Sequence, residues 1–204
     1  KFNREKLFSS LEENNLFSKD YDLPILKTQM ANQPLSFAQE RLWFIDKYEE
    51  GTNAYNVPVI FKLSQDVRLD LLERSLHSMV NRHEILRTLI QEDAEGQGYQ
   101  LVMDDKEYPL IINKKAVGSR AALDEEIRKE ANHIYDLGKE YPIRVCILEL
   151  ANDTVISEYY LSLVVHHIAF DGWSLDILLK ELREYYTYYL ARSKSEEASL
   201  DLPL

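Results

Sequence analysis

Cysteine occurs once in this chain, at Cys146. No internal disulfide can form, so the fold rests on its core, and such cysteine usage fits a reducing cytosol. Glycine and proline number six each in 204 residues, and no low-complexity tract or internal repeat is visible. That poverty excludes a low-complexity or repeat architecture and points to a folded globular chain. Basic residues are in deficit, 24 against 35 acidic, for a formal charge of −11. The balance argues against a general nucleic-acid binder and against an anionic membrane surface, though a local basic patch stays open. No apolar run approaches the length of a membrane span, and no charged start followed by an apolar core resembles a signal peptide. What the chain does have is 45% hydrophobic residues, enough to fill a core in one compact domain or one lobe of a larger assembly. It starts at Lys1 and ends in Ser199-Leu200-Asp201-Leu202-Pro203-Leu204, which reads as an excised piece; a trimmed but complete small protein is the alternative.

The most informative segment is His166-His167-Ile168-Ala169-Phe170-Asp171-Gly172. The run before it, Tyr159 to Val165, is aromatic and β-branched and predicts a buried strand. Successive side chains on a strand face opposite ways, so His166 and His167 cannot share one cavity. One ring should be structural and the other chemical. A lone buried histidine is usually just a hydrogen-bonded core residue, but two in succession at a strand end are less ordinary. A metal centre is disfavoured, because neighbouring strand residues diverge, Cys146 is remote and no histidine pair stands at helical spacing. After Gly172, Ser174 offers a cap for a helix carrying Leu175, Leu178, Leu179, Leu182, Tyr186 and Tyr189. Trp173 is expected as a core anchor, and the tyrosines at 185, 186, 188 and 189 are expected to pack within the fold.

Elsewhere, residues 1–30 read as a leader: a linker from a preceding domain, or an N-terminal helix of the same one. Ser36-Phe37-Ala38-Gln39 is a capping box that opens a helix. Alternation from Tyr55 to Leu63 predicts a strand, with Pro58 marking an edge or bulge. A helix follows over 69–80, ending near Asn81-Arg82-His83. A hairpin joins Leu86 to Gln91 with Tyr99 to Met103, a strand is expected at Leu110 to Asn113, and a helix over 123–137. Ile143 to Leu150 and Val155 to His166 should form the antiparallel pair that delivers the histidines. Strict βαβ alternation is missing, so the fold class is α+β: a mixed or antiparallel sheet flanked by helices.

Three blocks together resemble one family. They are Ser36-Phe37-Ala38-Gln39-Glu40-Arg41-Leu42-Trp43-Phe44, Arg82-His83-Glu84-Ile85-Leu86-Arg87-Thr88, and His166-His167-Ile168-Ala169-Phe170-Asp171-Gly172-Trp173-Ser174. In this order they are similar to the first core motifs of condensation domains of nonribosomal peptide synthetases. Glu50 to Pro58 is similar to members that extend a peptide. Heterocyclisation and epimerisation branches match less well, the former lacking the histidines and the latter the Ser36-to-Arg41 pattern. The resemblance implies a chloramphenicol-acetyltransferase-like lobe over 31–204, with the C-terminal lobe absent and the fragment nearly inactive alone.

The implied reaction moves an upstream aminoacyl or peptidyl thioester onto the amine of a downstream aminoacyl thioester. Both are held on phosphopantetheine arms of carrier proteins, and no cofactor is bound directly. The implied partners are upstream and downstream peptidyl carrier proteins, the C-terminal lobe and an adjacent adenylation domain, in the cytoplasm. By family position His167 is the catalytic residue, as general base or as an orienting group. His166 is structural, and Asp171 is expected to pair with Arg82, or failing that Arg87, in a buried ion pair. Gly172 would let backbone approach the thioester or pantetheine arm. The alternatives are a noncatalytic carrier-protein docking module and a freestanding CoA-dependent small-molecule acyltransferase.

Overall fold

A computed structural model describes residues 32–49, 51–151 and 157–200, with side chains described as far as residue 194. The leader over 1–30 and the predicted strand start at Val155 lie outside the described residues. In chain order the elements are β1 (Gln33–Pro34), α1 (Phe37–Tyr48), β2 (Asn56–Lys62), α2 (Leu69–Arg82) and a 3₁₀ turn (Glu84–Arg87). They continue with β3 (Thr88–Glu92), β4 (Gly98–Val102), β5 (Ile112–Val117), α3 (Arg120–Ala131), β6 (Ile143–Leu150), β7 (Glu158–His166) and α4 (Gly172–Leu200). A four-stranded sheet runs β2-β7-β6-β5, and a three-stranded one runs β1-β4-β3. β7 is antiparallel to both neighbours, whereas β5 and β6 are parallel, joined by the α3 crossover. The architecture is α+β with a mixed sheet. No helix among the described residues is long and apolar enough to cross a membrane.

β7 reads as a near-continuous apolar run because both of its faces are covered. Leu161, Leu163 and Val165 point into the larger core with Leu76, Met79 and Val80 of α2 and Leu178 and Leu182 of α4. The even positions face the other way: Val164 meets Tyr135, Leu137 and Ile168, and Tyr160 meets Leu123 and Cys146. The parity of the strand therefore fixes where its last residue goes. His166, in phase with Val164, closes the second face fully buried. β2 is an edge strand, which accommodates Pro58.

Helix α1 begins with the predicted capping box: the Ser36 hydroxyl accepts from Gln39 N–H at 3.3 Å, and the Gln39 side-chain oxygen accepts from Ser36 N–H at 2.9 Å. Its Trp43 packs over Gly98, where a Cβ would come within 3.0 Å of the indole, so β4 needs glycine there. Gln39 also reaches across the fold, donating to Ile168 C=O at 3.5 Å and to Gln100 at 3.1 Å. The first motif is thereby tied to the third.

The hairpin strand expected from Leu86 starts at Thr88, after the 3₁₀ turn, and two other boundaries differ by more than two residues from the sequence reading. The strand expected at 110–113 lies at Ile112–Val117, because Lys114 and Lys115 inside it are paired with acidic side chains rather than solvated freely. The helix expected over 123–137 covers Arg120–Ala131. Its true cap is Ser119, and Ile134, which completed the apolar pattern, is 56% exposed. Beyond Asn132 the chain is claimed by tertiary contacts: Tyr135 and Leu137 enter the core, and Ile90 N–H donates to Leu137 C=O at 2.8 Å. Tertiary burial overrides local helix preference here.

On the outer face of the sheet, Glu130 is 3% exposed and bonded to Lys115 at 2.8 Å and Arg144 at 3.1 Å. Burial opposes its ionisation, but Lys115 and Arg144 outweigh that cost and hold the carboxyl below the ordinary carboxylate range. Glu130→Ala removes the buried member, while Lys115 keeps Glu126 at 2.8 Å and Arg144 keeps Glu140 at 3.5 Å. The substitution should therefore cost about 1–3 kcal/mol in urea unfolding at pH 7. The sign with pH follows from the depressed value: the contribution is full above the unfolded carboxyl's range and fades as pH falls through the folded one. A variant as stable as the parent at pH 7 would contradict this account.

Candidate active site

The two histidines part company at the end of β7. His166 is fully buried, and its Nδ1 accepts the Ile168 N–H at 3.1 Å. That bond leaves the ring proton on Nε2. Burial, and secondarily the neighbouring His167, push the His166 imidazole down to about 4, so it is neutral at physiological pH. His166 N–H donates to Pro142 C=O at 2.8 Å, and Ala169 N–H returns to His166 C=O at 3.0 Å, closing a turn. His167 opens that turn with its side chain exposed, and its own N–H is held by Tyr55 C=O at 2.8 Å. One ring is sealed and one faces solvent, as strand parity requires.

The helix after the turn is capped differently from the sequence reading. Asp171, not Ser174, is the N-cap: its carboxylate accepts Ser174 N–H at 2.9 Å and the Ser174 hydroxyl at 2.7 Å. Ser174 occupies the third helical position and accepts from Asp171 N–H at 3.4 Å, so the two form a reciprocal box. Bonds from the Ser174 side chain and backbone hold the Asp171 carboxyl below its ordinary range. Gly172 begins the helix exposed, and a Cβ built on it would meet nothing within 4 Å. Trp173 is a second correction: it is 84% exposed, because Leu175 and Leu178 take the core-facing positions of this turn. Of the tyrosines, 185 and 186 pack on the core and 189 bonds Ser78 at 2.7 Å, while Tyr188 is exposed.

The expected ion pair is absent from the described residues. Arg82, at the end of α2, directs Nε to Glu181 of α4 at 3.3 Å, and His83 bonds the same carboxylate at 2.6 Å. Arg87 donates to Met103 C=O and lies 3.7 Å from Glu84. Asp171 already has its partners in the helix N-terminus, where backbone N–H groups and the helix dipole favour a carboxylate. So His166, His167, Asp171 and Gly172 come together on one turn, and Arg82 belongs to a separate α2–α4 contact. Beside the turn lies a cavity of about 130 Å³ lined by Met79, His83, Ile85, Leu86, Ala169, Phe170, Ser174, Ile177 and Leu178.

Two neighbours of the histidines were not picked out from sequence. The Tyr55 and Tyr135 rings flank His166, with centroids 6.2 Å and 5.6 Å away. Tyr55 was accessible, since a strand starting at Asn56 and paired antiparallel to β7 places Asn56 opposite His166. Tyr135 was hidden inside the overlong helix.

A mixed sheet thus ends in a buried histidine, an exposed histidine and an Asp-capped helix. A family model for the condensation domain matches residues 29–201, and the chain belongs to that family. It is 42% identical over 149 residues to a probable non-canonical nonribosomal peptide synthetase, CymA, of Salinispora arenicola, covering 73% of this chain and 2% of that protein. It is 41% identical over 155 residues to N-(5-amino-5-carboxypentanoyl)-L-cysteinyl-D-valine synthase of Amycolatopsis lactamdurans, covering 76% of this chain and 4% of the other. The chain thus spans a few per cent of the length of these curated relatives. Among solved structures, the X-domain in complex with OxyB from teicoplanin biosynthesis matches with TM-score 0.69 and 27% identity, over 79% of this chain and 34% of that one. The starter condensation domain of rhizomide synthetase shares the fold at TM-score 0.68 and 14% identity, over 79% and 39%.

Capping and ion pairing by Asp171 predict different mutant patterns. Asp171→Asn keeps a competent cap without the charge and should lower Tm by less than Asp171→Ala, which should lower it by about 2–4 °C. Equal losses in both variants in a thermal melt would point to a charge-dependent partner instead. The depressed His166 makes a second expectation. Below about pH 6.5 the unfolded chain binds a proton that native His166 refuses until about 4. Stability should therefore fall across that window, by on the order of 3 kcal/mol in all. Replacing His166 by Gln should flatten this part of the urea-derived pH profile, and an unaltered slope would contradict the buried neutral ring.

Proposed function

We propose that the chain is the N-terminal lobe of a peptide-bond-forming condensation domain, its C-terminal lobe lying outside residues 1–204. The carrying observation is the exposed imidazole of His167, presented by a rigid strand end whose last residue is sealed. It supports amide formation between two thioester-bound substrates, the donor aminoacyl or peptidyl group and the acceptor aminoacyl group. The amine nitrogen attacks the donor carbonyl, the C–N bond forms, and the ammonium proton is shed as the tetrahedral species develops. His167 takes that proton, and the C–S bond breaks to release the donor arm's thiolate, which is protonated by the imidazolium so formed. Phosphopantetheine enters as the arm of partner carrier proteins. The unobstructed surface over Gly172 is compatible with its approach. Upstream and downstream carrier proteins, an adenylation domain and a cytosolic setting complete the proposal; the free buried thiol of Cys146 fits a reducing compartment.

A second reading has one observation in its favour. The X-domain matched at 27% identity is described in complex with OxyB, so a similar domain is found bound to another protein. Turnover separates the two readings. In the complete domain supplied with two loaded carrier proteins, His167→Ala should lower dipeptide formation by about 10²–10⁴-fold. The exposed ring predicts that thermal stability stays at the parent value. Undiminished dipeptide formation in that variant would favour the docking platform.

A further inference from the structure

The Nε2 of His166 is buried and has no hydrogen-bond partner among the described residues. Its Nδ1 accepts from Ile168 N–H, so Nε2 carries the ring proton and is a donor. A buried donor without a partner is costly, and each such case calls for a physical account. Tyr135 supplies one. Its ring centroid is 5.6 Å from that of His166, with the planes at 75°, the edge-to-face arrangement. The Tyr55 ring is farther and more tilted, at 6.2 Å and 59°. Tyr135 is 2% exposed, and its hydroxyl donates to Val164 C=O at 2.6 Å, which pins the ring against β7. His133 meets the same ring edge-to-face at 5.1 Å and is itself bonded to Glu140 at 2.9 Å.

We propose that Tyr135 is a positioning residue for His167: its ring face accepts the buried Nε2–H of His166 and so locks the turn that presents the next imidazole. Weak N–H···π bonds of this kind matter most where no oxygen acceptor competes. The Tyr135 hydroxyl donates to Val164 and its oxygen is no partner of Nε2, so the π face is what the ring offers His166. The consequence for chemistry rests on the reading of His167 as the proton acceptor, since Tyr135 touches no substrate. Rotation of the His166 ring would release Ile168 N–H and with it the 166–169 turn, whose other bond is Ala169 N–H to His166 C=O.

The direct test needs no substitution. In a ¹⁵N-labelled chain, the His166 ring proton should sit on Nε2, exchange slowly, and resonate upfield of imidazole protons bonded to oxygen, because it lies over a ring face. A proton on Nδ1, or an Nε2–H at the shift of an oxygen-bonded imidazole, overturns the proposal. In the complete domain, Tyr135→Phe keeps the ring and should keep turnover near the parent value. Tyr135→Leu removes the ring and should cut kcat by on the order of a hundredfold at nearly constant KM. In a His167→Ala background the same leucine substitution should have no further effect on turnover. Equal losses in the Phe and Leu variants, or an additional loss in the His167→Ala background, would assign Tyr135 a merely structural part. If His167→Ala itself retains full turnover, the catalytic reading fails while the spectroscopic result stands on its own.

Discussion

The alternation of β7 governs everything else about this fold. A strand covered on both faces has no freedom of register, because a slip by one residue would exchange its Leu161-Leu163-Val165 face with its Tyr160-Ser162-Val164 face. β2 and β6 pair with it along most of its length, holding that register from both sides. The last strand residue must then be buried, and the first residue of the following turn must emerge. A sealed neutral imidazole and an exposed one are products of the same constraint.

The turn is held on several sides by groups remote in sequence. Tyr55 C=O holds His167 N–H, Pro142 C=O holds His166 N–H, and Gln39 reaches Ile168 C=O from the capped start of α1. Asp171 and Ser174 cap one another where α4 leaves the turn. The backbone entering and leaving His167 is thus fixed while its side chain stays in solvent, an arrangement that suits the proton transfer proposed for it. The first and third sequence motifs meet at this turn. The second serves the packing of α2 against α4, through Arg82, His83 and Glu181.

Much of this was legible in the chain because the signals were periodic or local. The capping box at Ser36, a helix from Leu69, a hairpin around Gly96-Gln97-Gly98 and the β6–β7 pair all follow from spacing, and so does the opposition of the two histidines. What failed depended on distant partners. Ile134 completed a helical pattern that tertiary bonds to β3 interrupt, and Trp173 has a core-like side chain at a position where the helix faces outward. The pairing of Asp171 with Arg82 was what the family resemblance implied, but each has another partner that sequence does not reveal: the N-terminus of α4 and Glu181 across the helix pair. Tyr135 could not be seen as a neighbour of His166 while its segment was read as helix.

Chemical labelling tests the central division most directly. Brief treatment of the native protein with diethyl pyrocarbonate, followed by peptide mass spectrometry, should carbethoxylate the imidazole of His167 and leave that of His166 unmodified until the chain is unfolded. In the complete domain, loss of condensation should track labelling of His167 alone. Early modification of His166, or full condensation with His167 completely labelled, would contradict the account.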